Sequence, residues 1–342
     1  MVRRVELLFT PELRIVFSDR EKALKQVYEF GEKGVRNPVV VYGPEGCGKT
    51  AWLKQAALIL KELGYETFYI NPLHREAIPY TNVEEVASRL AKAVLELSGV
   101  AQVKLATLAA LLVKELIAKW RRSRVAVLVD DVFQAIGLDR AETYVKELLG
   151  LIEYPPQSYE KIVVIIASSE GVTRKRVGRH RWAFLKSMWN MSRRGFEELY
   201  EELRKAASGR VADLNDVWVL TGGNPYMLSR LYQANWNPAA VVKELIVTRG
   251  LSRDFVLKWR KHLEVLVEDP DAVSEPDFPE ELRAELVEKN LIVYDIYFRN
   301  PELWIDEPPP DRDFELGIGR YAAWQTPLHR EAVRVALKEF SS

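Results

Sequence analysis

Val39-Val40-Val41-Tyr42-Gly43-Pro44-Glu45-Gly46-Cys47-Gly48-Lys49-Thr50 joins an unbroken apolar run to an octapeptide of the form G-x-x-x-x-G-K-[ST]. A short run apolar at every position suits a strand covered on both faces. The residues after the octapeptide, Lys49 to Leu63, carry apolar side chains at helical spacing and stop at Gly64. A glycine-rich turn between a buried strand and a helix points backbone amides and the positive helix end at a phosphate group. Lys49 then reaches the β- and γ-oxygens of a nucleotide, and the Thr50 hydroxyl ligates Mg²⁺. Gly43, Pro44, Glu45, Gly46, Cys47, Gly48, Lys49, Thr50 and Ala51 are the expected cradle for ATP or ADP.

Outward from that stretch the chain alternates. A helix is predicted after Ser18, whose spacing to Glu21 suits a capping box. Glu66 to Ile70 reads as a strand, and Val125 to Val129 as a second buried strand ending on Asp130-Asp131. Helix-period segments are predicted from Thr81 to about Leu97 and from Leu105 to Trp120. Another follows from about Arg140 to Ile152, and a third aliphatic strand runs from Ile162 to Ile166 and closes on Ala167-Ser168-Ser169. Strands separated by helices imply a parallel sheet covered on both sides. From about Ser192 the aliphatic runs give way to helical segments at 194–207, 213–220, 226–235 and 239–249. Beyond Leu251 the order helix, helix, strand, proline-rich loop, strand, helix suggests a winged helix.

The 342 residues exceed one ordinary domain, and 48% hydrophobic with 29% charged residues is the balance of a globular protein. No stretch is long and apolar enough for a membrane span, and Glu6 interrupts the N-terminus before any signal-like run, so a cytoplasmic address is expected. One cysteine and four scattered histidines give neither a disulfide nor a zinc-ligand pattern. The 49 basic and 49 acidic residues cancel, but Asp254 to Ser342 holds 20 Asp and Glu against 11 Lys and Arg, a net −9. That acidic end counts against coating nucleic acid by bulk charge.

Asp130 at a strand end suits Mg²⁺ binding beside a phosphate loop, with a helix cap as the alternative. Asp131 is placed to orient an attacking water, or else to cap or form an ion pair. An aspartate is one methylene shorter than a glutamate, so its carboxylate stands about 1.5 Å farther back and hydrolysis is expected to be slow. Ser168 is a candidate γ-phosphate sensor or a turn serine. Lys49, Asp131 and Ser168 are therefore the candidate catalytic residues, with Thr50 and Asp130 as the metal ligands. Arg174, Lys175, Arg176, Arg179, His180 and Arg181 form a basic run suited to reading a γ-phosphate, to touching a nucleic-acid backbone, or simply to a solvated loop. Trp182, Trp189, Trp218, Trp236 and Trp259 read as packing residues rather than stacking platforms. Cys47 reads as a small residue whose thiolate, if exposed, would block the loop on oxidation.

Taken together, Phe17, Arg20-Glu21, the loop at 43–50, Val129 to Gln134, Ala167-Ser168-Ser169, Thr221-Gly222-Gly223-Asn224-Pro225 and Trp324-Gln325-Thr326-Pro327 resemble the archaeal ATPases of the STAND branch of AAA+ proteins, relatives of origin-recognition ATPases. The resemblance implies an α/β core with strand order 5-1-4-3-2, a helical lid and a C-terminal winged helix, divided as 1–191, 192–250 and 251–342. In that order the third aliphatic strand lies between the phosphate-loop strand and the Asp130 strand, with a short fifth strand near Met188 to Met191. It further implies that Phe17 and Arg20 border the base and ribose and that Pro225 approaches the base or sugar. The expected function is an ATP-dependent conformational switch with a protein partner or self-association. The rivals are an origin-recognition-like DNA-binding ATPase and a nucleotide-binding scaffold without turnover.

Overall fold

A computed structural model describes residues 3–74, 76–80, 88, 124–155, 159–168, 177–178, 180–296 and 298–340. The chain forms two compact units. The first comprises Met1–Val5, Arg20–Tyr42 and Lys49–Ser187, the second Glu6–Asp19, Gly43–Gly48 and Met188–Ser342.

The chain enters the second unit early, with an antiparallel hairpin of β1 (Glu6–Thr10) and β2 (Leu13–Val16). The first unit then takes α1 (Glu21–Lys33), β3 (Val39–Tyr42), α2 (Lys49–Glu62), β4 (Tyr65–Asn71), β5 (Glu76–Tyr80), β6 (Arg124–Asp130), α3 (Val132–Ile136), α4 (Leu138–Glu153), β7 (Lys161–Ser168) and β8 (Phe184–Met188). Its sheet runs in the order β8-β3-β7-β6-β4-β5, parallel except for β5, which pairs antiparallel with β4. β5 carries Pro79, which lacks the amide a central strand needs and is tolerated at this edge. Val39–Val41, Val125–Val129 and Ile162–Ala167 are buried throughout, as a doubly covered sheet requires.

The parallel strands reproduce the expected order, with the third aliphatic strand, β7, between β3 and β6. The fifth strand lies slightly upstream of the expected place, at Phe184–Met188. On the sheet, α2 buries Trp52, Leu53, Ala56, Ala57 and Leu60, and the Trp52 indole donates to the Ala23 carbonyl of α1 at 3.3 Å. Burying a leucine such as Leu53 or Leu60 contributes on the order of 2 kcal/mol.

The capping box predicted at Ser18 and Glu21 does not form. The Ser18 hydroxyl donates instead to the Val16 carbonyl at 3.0 Å, and α1 starts after Arg20, whose φ of 64° is left-handed. Asp19 is left-handed too, so the chain turns into α1 two residues later than the capping box requires. The predicted helices at 81–97 and 105–120 lie outside the described residues.

After the hairpin and the loop at 43–48, the second unit continues with α5 (Arg193–Ala206), α6 (Leu214–Thr221), α7 (Pro225–Gln233) and α8 (Pro238–Thr248). Beyond these come α9 (Arg253–Glu268), α10 (Glu280–Glu288), β9 (Ile292–Tyr294), β10 (Trp304–Ile305), β11 (Ala322–Trp324) and α11 (Pro327–Phe340). Ser192, Asp213, Asn224, Asn237 and Ser252 each accept an early helix amide on a side-chain oxygen, which fixes the starts of α5 to α9. β9 and β11 pair antiparallel, and Trp189, Ile296, Trp304, Leu316, Ile318 and Ala323 form an apolar cluster in this unit. Among the described residues, no helix is long and apolar enough to cross a membrane.

Candidate functional site

In the first unit the C-terminal ends of the parallel strands collect the acidic and hydroxyl groups. Register places Tyr42 opposite Ser168 and Asp130 opposite Ala167, so β3, β7 and β6 end level with one another. Strands that end level present their last side chains along one edge, the usual place for a ligand in an open α/β sheet. Asp130 is almost fully buried there. Its Oδ2 accepts from Tyr69 Oη at 3.0 Å and Asn71 Nδ2 at 3.3 Å, and the Thr50 hydroxyl bonds to the same carboxylate. Burial first, then the charge of Asp131, pushes Asp130 up to about 6, against the opposing pull of Thr50, Tyr69 and Lys49. Burial and the Asp130 charge also push the Tyr69 hydroxyl upward, so it donates as a neutral phenol.

Lys49 and Thr50 are the first residues of α2, with Lys49 buried and Thr50 exposed. Thr50 and Asp130 are thus already joined, and they offer the hydroxyl and carboxylate oxygens that Mg²⁺ takes from a protein while keeping its other positions for phosphate and water. The donor set fits that ion. Asp131 has a φ of 47° and stands at the start of α3 without capping it through its side chain; its amide donates to the Ala167 carbonyl at 3.1 Å. A helix cap is therefore not its role. Ser168 is buried as the last residue of β7. Ser169, Arg174, Lys175, Arg176 and Arg179 lie outside the described residues. His180 and Arg181 are described, and the His180 ring stacks on Trp182 with centroids 3.9 Å apart.

In the second unit the loop at 43–48 is gripped residue by residue. A side chain at Gly43 would put its Cβ 1.9 Å from the Met188 carbonyl oxygen, so only glycine fits. Gly46 has a φ of 74°, and a Cβ there would stand 2.3 Å from that of Tyr226. Glu45 is held at both ends of its peptide. Its amide donates to Gln325 Oε1 at 2.9 Å, and its carbonyl accepts from Asn224 Nδ2 at 2.9 Å. Its carboxylate pairs with Arg249 at 2.7 Å and accepts from Asn290 Nδ2 at 3.5 Å. The Tyr226 amide, in the first turn of α7, donates to the Gly46 carbonyl at 3.3 Å. Behind them Asn190 binds both partners, accepting from Asn224 at 2.8 Å and donating to the Gln325 carbonyl at 3.0 Å. Cys47 is buried, with Sγ 3.7 Å from the Met188 carbonyl oxygen.

The remaining expected residues are spread. Phe17 is buried just after β2 in the second unit, and Arg20 is buried at the start of α1 in the first. Pro225 opens α7 beside the asparagine that binds the loop. Sequence reasoning missed Tyr69, Asn71, Asn190, Gln325 and Arg249 as partners of the site. Asn71, a polar residue closing a buried strand, carried a faint signal, and Gln325 belongs to a stretch singled out only by resemblance.

A family model described as an ATPase domain predominantly from Archaea matches residues 17–231. No curated protein matches the sequence. Among solved structures, the Walker-type ATPase PABY2304 of Pyrococcus abyssi is similar at 16% identity over 96% of this chain and 100% of that one, with a TM-score of 0.47. The ORC2 protein of Aeropyrum pernix in its ADP form gives 15% identity over 97% and 96%, with a TM-score of 0.44. The ORC1 protein of the same organism in complex with DNA gives 16% identity over 97% and 95%, with a TM-score of 0.41. The family match spans well over half the chain and takes in the phosphate loop, Asp130, Ser168 and Asn224; the chain belongs to the family of ATPase domains found predominantly in Archaea.

Proposed function

We propose that the chain is a Mg²⁺-dependent ATP-binding switch that turns ATP over slowly. The observation that carries this reading is the grip on Glu45: a phosphate-loop residue whose amide, carbonyl and carboxylate are all bound by side chains 179 to 280 positions later gives the loop a direct connection to the C-terminal part of the chain. A loop held in this way responds to ligand by shifting those partners, because a ligand moves an equilibrium by its preference for one arrangement.

In this reading the amides from Gly43 to Ala51 surround the β-phosphate and Lys49 meets the β- and γ-oxygens. Thr50 and Asp130 hold Mg²⁺, which supplies charge neutralisation on the phosphates. Asp131 orients water, and Ser168 senses the γ-phosphate. Phe17 and Arg20 border the base and ribose, with Pro225 approaching from 192–250 as a lid and 251–342 acting as a winged-helix module.

Calorimetry with Mg-ATP tests the site. Lys49→Ala should lower affinity at least tenfold, and wild-type affinity in that variant overturns the assignment. Steady-state phosphate release from the wild type above that of Asp130→Ala supports turnover, whereas equal rates make the chain a non-hydrolysing scaffold.

A further inference from the structure

A cleft of about 1030 Å³ opens within the second unit and involves none of the residues assigned to nucleotide. Three chain segments wall it: the β1–β2 turn, the connection from α5 into α6, and the turn from α7 to α8. We propose that this cleft binds a basic segment of a partner polypeptide, with an arginine or lysine side chain seated against Tyr232 and Trp236 and held by Glu12, Asp213 and Asp216.

Two independent observations point that way. The first is charge. Glu12, Asp213 and Asp216 come from two of the three walls, and Arg210 is the single cation among the lining residues, which leaves the cleft net negative. A nucleic-acid backbone would be repelled by that rim, whereas a cationic side chain is attracted. The second is the aromatic pair. The Tyr232 and Trp236 rings lie edge to face with centroids 5.6 Å apart, and the Phe9 ring is tilted against Tyr232 with centroids 6.3 Å apart. Aromatic faces beside carboxylates are the usual seat for an ammonium or guanidinium group.

The backbone under Trp236 is also unusual. Asn235 and Trp236 are both left-handed, with φ of 52° and 62°. Asparagine is at home there, and the Trp236 amide closes the end of α7 on the Leu231 carbonyl at 2.7 Å. A left-handed tryptophan is an outlier. It is kept in place by its indole, which donates to the Arg210 carbonyl at 3.0 Å and so ties the aromatic wall to the α5–α6 connection. The volume is at the upper end of small-molecule sites, large enough for several residues of extended chain rather than one free amine.

The test is calorimetry of the full chain with an acetylated octapeptide of glycine and serine carrying three arginines, at low ionic strength. Binding should be sub-millimolar and at least tenfold weaker when the arginines are replaced by citrulline. Asp213→Asn with Asp216→Asn keeps the α6 cap but removes two charges, and should weaken the peptide at least tenfold. Trp236→Asn suits the left-handed backbone and leaves every charge in place, and should weaken it several-fold. ATP affinity should be unchanged in both variants, which separates this site from the nucleotide reading. Equal binding of the citrulline peptide, no heat with the arginine peptide, or unchanged affinity in Trp236→Asn, as bulk charge attraction would give, each overturns the proposal.

Discussion

The amide of Glu45 donates to the side-chain oxygen of Gln325 at 2.9 Å, across 280 positions of sequence. Gln325→Leu keeps the side-chain bulk but removes the acceptor, leaving a partly buried amide without that partner. A loss of about 1–2 kcal/mol in stability is expected, together with a several-fold loss of ATP affinity as the loop becomes less ordered. Urea unfolding and calorimetry check the two parts, and unchanged values for both would show that the contact is incidental.

Asp130→Asn removes a carboxylate whose ionisation the fold resists. Because Asp130 is raised from 3.8 to about 6, the folded state binds its proton more tightly than the unfolded state does, and stability from this group falls as pH rises between those values. Without nucleotide or metal, the variant should therefore be more stable than the wild type above about pH 6, by about 1–3 kcal/mol, and the gain should vanish toward pH 4. Mg²⁺-dependent nucleotide binding should be lost at the same time. A gain independent of pH would remove the electrostatic explanation.

His329 titrates with the opposite sign. Burial first, then the Arg249 charge, pushes it down to about 3, and its Nδ1 lies 2.8 Å from the Thr326 hydroxyl. Stability from the neutral ring is complete above about 6.5 and is lost as pH falls toward 3. Its Cε1 proton resonance should keep the neutral-imidazole shift from pH 8 to pH 5. Arg249→Met should move the eventual transition to higher pH by removing the cation; a transition at the same pH in both proteins would exclude that coupling.

Asp131→Glu lengthens the side chain by one methylene toward the water it is proposed to orient. Phosphate release should rise about tenfold, whereas Asp131→Asn should abolish it. A glutamate variant slower than the wild type, with ATP affinity intact, would assign Asp131 a structural role.

The core was legible where one physical signal dominates. Continuous aliphatic runs marked β3, β6 and β7, and helical spacing marked α5 to α9, whose side-chain caps became visible only in the structure. The β1–β2 hairpin was missed because Leu7, Leu8 and Phe9 give no clean alternation, and β5 because Pro79 argues against a strand in any position but an edge. Lys49, Thr50 and Asp130 were singled out because a short motif and a strand end carry their chemistry locally, and the structure joins Thr50 to the Asp130 carboxylate. The partners of Glu45 could not, since hydrogen bonds spanning 179 to 280 residues leave no periodic trace. At Ser18 a local rule was present but lost to two left-handed residues that turn the chain first.

The only cysteine in the chain sits inside the phosphate loop, with its sulfur tucked against the Met188 carbonyl. A maleimide reagent therefore reaches it only when the loop swings away, and the rate of alkylation becomes a built-in clock for that excursion. Saturating Mg-ATP should slow the clock at least tenfold, with no engineered label anywhere in the molecule.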